Sequence, residues 1–164
     1  MYKYVTVTSP PDVHPQKERL IAVERGSSIH STAARQGFVQ LLRFVAPLIP
    51  LSIFVQSIFA GQGMFVDTDN LDIHGALGSL TFLLALVQAI LVAFAGFRGR
   101  AAGIALGVSL GLVVLLIVQL GLGYSGRDGG NAAAWHVPLG VAIFGMAVGN
   151  VALLSRLRSD TGSR

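Results

Sequence analysis

Two histidines stand in matching settings along this chain. Val55-Gln56 is followed by Gly61 and then by His74, with Gly78 four residues on; Val118-Gln119 is followed by Gly123 and then by His136, with Gly140 four residues on. Glutamine and histidine are separated by 18 residues in the first copy (56 to 74) and by 17 in the second (119 to 136). A neutral imidazole is a good metal ligand, and two of them on opposite faces can hold the iron of a metalloporphyrin. A single histidine near the end of an apolar span is ordinarily just an interfacial polar group. Recurrence at an equivalent position is what points further.

The elements that would position these rings are membrane helices. Of 164 residues, 52% are hydrophobic and 12% charged, and mean hydropathy is +0.66, outside the balance of a soluble domain. Residues 44–66, 73–97, 101–126 and 129–155 form four stretches; the first three and residues 129–155 contain no Asp, Glu, Lys or Arg. Each supplies the roughly 20 apolar residues needed to cross a bilayer core. Unpaired backbone is not tolerated in hydrocarbon, so an all-α, four-helix transmembrane bundle is expected. Its spans are placed near 44–64, 74–96, 102–124 and 133–155, within a domain of residues 41–158 built from two tandem hairpin repeats. A C-terminal tail, 159–164, follows.

Charge orients the bundle. Lys3, Lys17, Arg19, Arg25, Arg35 and Arg43 precede the first span, Arg98 and Arg100 join the second and third, and Arg156, Arg158 and Arg164 follow the fourth; only Arg127 falls on the other side. The positive-inside rule then makes both termini cytoplasmic in a multi-pass protein of the bacterial inner membrane. The loop with Asp67, Asp69 and Asp72 and the loop with Arg127 and Asp128 face outward. His74 and His136, each opening an inward-running span, lie at one outer depth. The net charge of +4 thus belongs to topology and anionic headgroups, with no nucleic-acid partner expected.

Residues 1–40 differ in kind. Pro10, Pro11, Pro15, His14 and His30 occur there with no apolar run before Phe38, which predicts a flexible cytoplasmic tail with a short helix near Arg19 to Glu24. No secretory apolar core is present, so a cleaved signal peptide is not expected. The absence of cysteine excludes thiolate ligation, disulfides and covalent c-type haem.

Within the spans, Pro47 and Pro50 each remove a backbone donor and predict a bend in the first helix. Gly103, Gly107 and Gly111 form a small-residue ridge on the third, expected to pack within the chain, with dimerisation the alternative. Trp135 and Tyr124 are expected as boundary anchors. Gly78 and Gly140 share a helix face with the histidine one turn before them and would leave room for a macrocycle or for a neighbouring helix. Gln56, Gln119 and Gln88 are amides in hydrocarbon that need partners, most simply interhelical hydrogen bonds; the first two can alternatively meet a haem edge or a quinone carbonyl.

Over Val45 to Arg158 the pattern is Gln56 then Ala60-Gly61 closing the first span, His74 with Gly78 opening the second, Gln119 late in the third and His136 opening the fourth. It resembles a group of small four-span bacterial membrane proteins of unassigned function. More loosely it is similar to one four-helix half of haem A synthase and to four-helix b-type cytochromes. That resemblance implies a haem b with His74 and His136 as axial metal ligands and Gly78, Gly140, Gln56 and Gln119 around it. Haem A synthase also uses a carboxylate near the outer end of its first span. No acidic residue lies between Glu24 and Asp67, so synthase activity is not expected.

A zinc site needs three or four ligands and is not supplied by two histidines. No phosphate-binding loop or serine–histidine–acid arrangement occurs, and no mid-membrane charge offers a transport relay. The reading is electron transfer through one haem, more in the manner of a carrier than of an enzyme by itself. A membrane quinol or a redox subunit is the exchange partner, in a homo- or hetero-oligomer. A haem-free structural or accessory subunit is the alternative.

Overall fold

The computed structural model describes residues 14–126 and 130–162. All regular structure among them is helical: α1 (His14–Phe65), α2 (Asn70–Phe94), α3 (Arg100–Ser125) and α4 (Asn131–Gly162). The chain divides into two compact units, residues 1–34 and 35–164. In the first unit, the described residues are helical from His14 and Lys17 to Val23 are exposed. This extends well beyond the short helix expected near Arg19 to Glu24. Pro15 falls in the first turn of α1, where a missing N–H has no intrahelical partner to lose, so it admits the helix instead of breaking it.

The second unit is the four-helix bundle expected from composition. Stretches long and apolar enough to cross a membrane are Ala33–Phe65, Asn70–Phe94, Arg100–Ser125 and Asn131–Ser159. Large apolar side chains point outward: Leu51, Phe54, Leu83, Val114 and Val141 are each more than half exposed. In water such a surface would drive association, whereas in a bilayer it meets a solvent as apolar as itself. The chain is a multi-pass membrane protein.

What faces inward is smaller. Ala46, Ala85, Ala95, Ala105 and Ala147 are buried alongside Leu42, Ile49, Leu112, Ile143 and Leu154. In lipid, helices gain by packing closely, and alanine at the contact lets backbones approach. Two apolar layers result. One contains Leu42, Leu91, Val92, Leu154 and Leu157 toward the arginine-bearing end; the other contains Ile49, Ile53, Leu112, Leu116 and Ile143 nearer the histidines.

Polar groups separate the layers. Gln88 on α2, Ser109 on α3 and Asn150 on α4 are all buried. Gln88 Nε2 and Asn150 Nδ2 both donate to Ser109 Oγ, at 3.4 and 3.1 Å, while that hydroxyl donates to the Ala105 carbonyl at 2.8 Å. One donor and two acceptor sites are thereby used, which saturates the serine. Ser52 on α1 and Thr81 on α2 share a further bond of 2.7 Å.

Two glycines close the turns. Gly63 near the end of α1 leaves space that the Leu71 side chain occupies, since a Cβ there would come within 2.6 Å of it. Gly96, after α2, has φ +69°, a left-handed conformation that glycine adopts without strain. The ridge on α3 departs from expectation. A Cβ at Gly103 or Gly107 would meet nothing within 4 Å, and only Gly111 has a neighbour, Met146 Cε at 3.7 Å. Those first two glycines face outward, because the buried face of α3 is carried by Ala105, Ser109, Leu112 and Leu116. α1 stays helical through Pro47 and Pro50.

Candidate functional site

His74 begins the second turn of α2 and His136 the second turn of α4. In each hairpin the preceding helix returns antiparallel, and its glutamine comes alongside the histidine. His74 Nδ1 lies 2.8 Å from the Gln56 carbonyl oxygen, and His136 Nδ1 lies 3.1 Å from the Gln119 carbonyl oxygen. A carbonyl oxygen only accepts, so each Nδ1 carries the proton and each neutral ring keeps its Nε2 lone pair. A hydrogen bond of this kind at one ring nitrogen is what fixes the orientation of a metal-ligating imidazole.

The two rings meet. Their centroids are 5.9 Å apart with an interplanar angle of 74°. Two imidazoles bound to one metal at about 2 Å each have ring centres about 6 Å apart. Edge-to-face packing of two rings falls in the same range, about 4.5–7 Å. The separation therefore suits shared ligation and direct ring contact alike.

The glycines act through the glutamines. A Cβ at Gly140 would lie 3.0 Å from Gln119 Nε2, and one at Gly78 would lie 3.2 Å from Gln56 Oε1 and 3.4 Å from the Leu120 side chain. The space one turn beyond each histidine is thus taken by an amide of the preceding helix. Gly140 thus packs on an amide, whereas Gly78 also borders the cavity beside the rings. Gly123 makes the third close approach, since a Cβ there would come within 3.0 Å of His136 Cε1.

The two copies differ at the amide. Gln119 Nε2 donates to the His136 carbonyl at 2.9 Å, so its Oε1 is the free end, buried and without a hydrogen-bond partner. Gln56 turns its oxygen toward α2 instead. The repeat is close in its histidine-to-carbonyl bonds and broken in its side-chain amides.

A cavity of about 550 Å³ opens beside the rings, within the range of small-molecule sites. His74, His136, Gln56, Gln119 and Gly78 line it, with apolar walls from Ala60, Met64, Leu116, Leu120 and Val137; Thr68, Asp72 and Tyr124 lie at its end nearest the turns. Gly140 is not among its walls. Among the described residues no group of three or more histidine, cysteine or acidic side chains gathers to hold a metal ion. A metal held at the rings would have two histidine ligands, whereas a porphyrin brings four nitrogens of its own.

Sequence reasoning found both histidines and both glutamines but gave Ser109 no partners, and it passed over Asn150 and Pro138. The signal for Asn150 was available: it is a lone amide in the interior of the fourth span, as Gln88 is in the second. Pro138 lies inside α4, two residues beyond His136, and its missing N–H leaves the Ala134 carbonyl without a helical donor.

Comparison with known proteins finds a partial likeness to one family and no activity. The model of DUF6220, a family of unknown function, matches residues 56–126, from Gln56 through the turn after α3. No curated protein and no solved structure matches the chain.

Proposed function

We propose that the protein binds one b-type haem between His74 and His136 and serves membrane electron transfer. The observation that carries this reading is the convergence of two imidazoles from separate hairpins, 5.9 Å apart, each with Nδ1 engaged by a backbone carbonyl. A ligand pair of that design needs its proton-bearing nitrogen turned away from the iron. The cavity beside the rings supports the same reading by its volume and apolar walls.

In this scheme His74 and His136 would hold the haem through Nε2, and the haem would supply one-electron exchange. The chain's own residues do the rest. Gln56 and Gln119 hold the rings by their carbonyls, and the amide of Gln119 adds a second tie to the backbone of the residue it serves. Leu116, Leu120 and Val137 keep water from the cavity walls. Charge asymmetry supports a histidine end at the outer face and both termini in the cytoplasm. A membrane quinol or a redox subunit is the fitting exchange partner.

A haem-free accessory role is favoured by one feature, the edge-to-face angle of 74°, at which two imidazoles pack stably without a metal. Optical spectroscopy separates the two. Full-length protein purified from haem-replete cells is expected to show a Soret band and a reducible α band, both lost in His74→Ala and in His136→Ala. Colourless wild type would leave the accessory role.

A further inference from the structure

His136 stands on a stretch of α4 that differs in build from the stretch of α2 under His74. Pro138, inside α4, removes the helical hydrogen bond to the Ala134 carbonyl and crowds that turn. Residues 131–137 are therefore joined to the rest of the helix across a weakened point. Before them comes Gly130, with φ +97°, a conformation that glycine adopts without strain. Of residues 131–138, Ala132 and His136 are half-buried and the others are exposed. Beyond the proline, Ile143, Ala147, Asn150 and Leu154 secure α4 in the core.

Against α3 this stretch rests on glycine. A Cβ at Gly126 would come within 3.1 Å of the Ala133 nitrogen, and one at Gly123 within 3.0 Å of His136 Cε1. At these two points no side chain of α3 has to be displaced for the stretch to leave. Two hydrogen bonds form the clasp: His136 Nδ1 donates to the Gln119 carbonyl at 3.1 Å, and Gln119 Nε2 donates to the His136 carbonyl at 2.9 Å. Gln119 Oε1 is buried there without a partner, a cost that offsets part of what the clasp contributes. The start of α2 is fixed instead. It contains no proline, the Asn70, Leu71 and Asp72 amides donate to the Asp67, Thr68 and Asp69 carbonyls, and the Leu71 side chain fills the space beside Gly63.

We propose that residues 131–137 form a hinged segment that swings about Pro138 and carries His136 away from His74, opening the ring pair to its ligand. The purpose of the motion rests on the proposed haem. The rings lie 5.9 Å apart in edge-to-face contact and the cavity lies beside them, so a porphyrin comes between them only after one ring moves aside. Ala133, His136 and Val137 are walls of that cavity, and the same swing widens it.

Spin-label distances measured by pulsed electron paramagnetic resonance on the full chain in detergent test the hinge, since the sequence has no native cysteine to label. Trp135→Cys paired with Ile104→Cys reports the segment, and Ile73→Cys paired with Ile104→Cys reports the equivalent position before His74; all three side chains are exposed. In protein from haem-depleted cells the first pair is expected to show two distance populations and the second pair one. Pro138→Ala restores the backbone donor and is expected to lower the displaced fraction about fivefold, the weight of one hydrogen bond. A single population for the first pair, two populations for both pairs, or an unchanged fraction in Pro138→Ala would each overturn the hinge. If Pro138→Ala fails to fold, the two label pairs in the otherwise native chain decide. Absorbance of the same pairs from haem-replete cells separates this proposal from the haem. Colourless protein with two populations removes the haem and keeps the hinge. Pigmented protein is expected to show the first pair in one population, and two populations there would overturn the role given to the motion.

Discussion

At Gly140 a single missing methyl decides whether the Gln119 amide can reach the His136 carbonyl. The Cβ of Gly140→Ala would stand 3.0 Å from Gln119 Nε2, so the amide must give by a few tenths of an ångström and its bond to the His136 carbonyl is strained. Interhelical hydrogen bonds in membranes contribute roughly 0.6 kcal/mol on average and at most about 1.7; Gly140→Ala is therefore expected to destabilise by about 1 kcal/mol in a mixed-micelle unfolding assay. Gly145→Ala, where a Cβ meets nothing within 4 Å, is expected to be neutral or slightly stabilising through helix propensity. The same contrast applies one helix earlier. Gly123→Val would push on the His136 ring, whereas Gly121→Val points into open space; the first is expected to lower pigment content of purified protein severalfold and the second to preserve it. Equal pigment in both would show that the ring's position is irrelevant to binding. The histidines themselves were legible in the sequence because they recur in register. The role of the glycines was not, because a spacing of four fixes a shared face but does not say which group of the partner helix fills it.

Each of α2, α3 and α4 contributes one buried polar side chain to the junction between the two apolar layers, and Ser109 joins all three. Ser109→Ala leaves the Gln88 and Asn150 amides without their common acceptor; such a loss costs about 1–3 kcal/mol in a buried site. Because the unfolded reference in a membrane also offers partners, the lower end of that range is expected, read again as mixed-micelle unfolding. Asn150→Leu is expected to cost less than Ser109→Ala. It removes the donor together with Asn150 Oδ1, which is buried without a hydrogen-bond partner, and it leaves the Gln88 bond to Ser109 in place. A larger loss in Asn150→Leu than in Ser109→Ala would mean that packing, and not the shared hydroxyl, governs this junction. Element boundaries were legible wherever composition alone sets them, as for α2 and α3, whose ends coincide with the change from apolar to polar residues. α1 was read short because Pro15 and the polar residues after it suggest a break, although a proline in a first turn has no helical bond to remove. The outward face of Gly103 and Gly107 was illegible for a related reason. A glycine ridge records where a close approach is possible, and only the neighbouring Ala105, Ser109 and Leu112 reveal which side of α3 is already occupied.

For the molecule as a whole, an even number of spans puts the start of the first and the end of the last on one side, so a single measurement orients everything. Eleven of the twelve basic residues fall at the end away from the histidines or beyond it in the chain, which makes that end cytoplasmic if basic loops are retained inside. With that orientation the cavity beside His74 and His136 would face the outer compartment. The chain contains no cysteine, so a single introduced thiol reports without background. Thr68 lies in the exposed turn between α1 and α2, and Arg98 in the exposed turn between α2 and α3. In intact cells Thr68→Cys is expected to react with a membrane-impermeant maleimide, while Arg98→Cys reacts only after permeabilisation. The reverse pattern would turn the bundle over, placing the histidine cavity and any exchange partner on the cytoplasmic side. It would also put the arginine-bearing end of the bundle at the outer face. Labelling of both thiols in intact cells would instead break the four-span topology, since two turns separated by one crossing cannot face the same compartment.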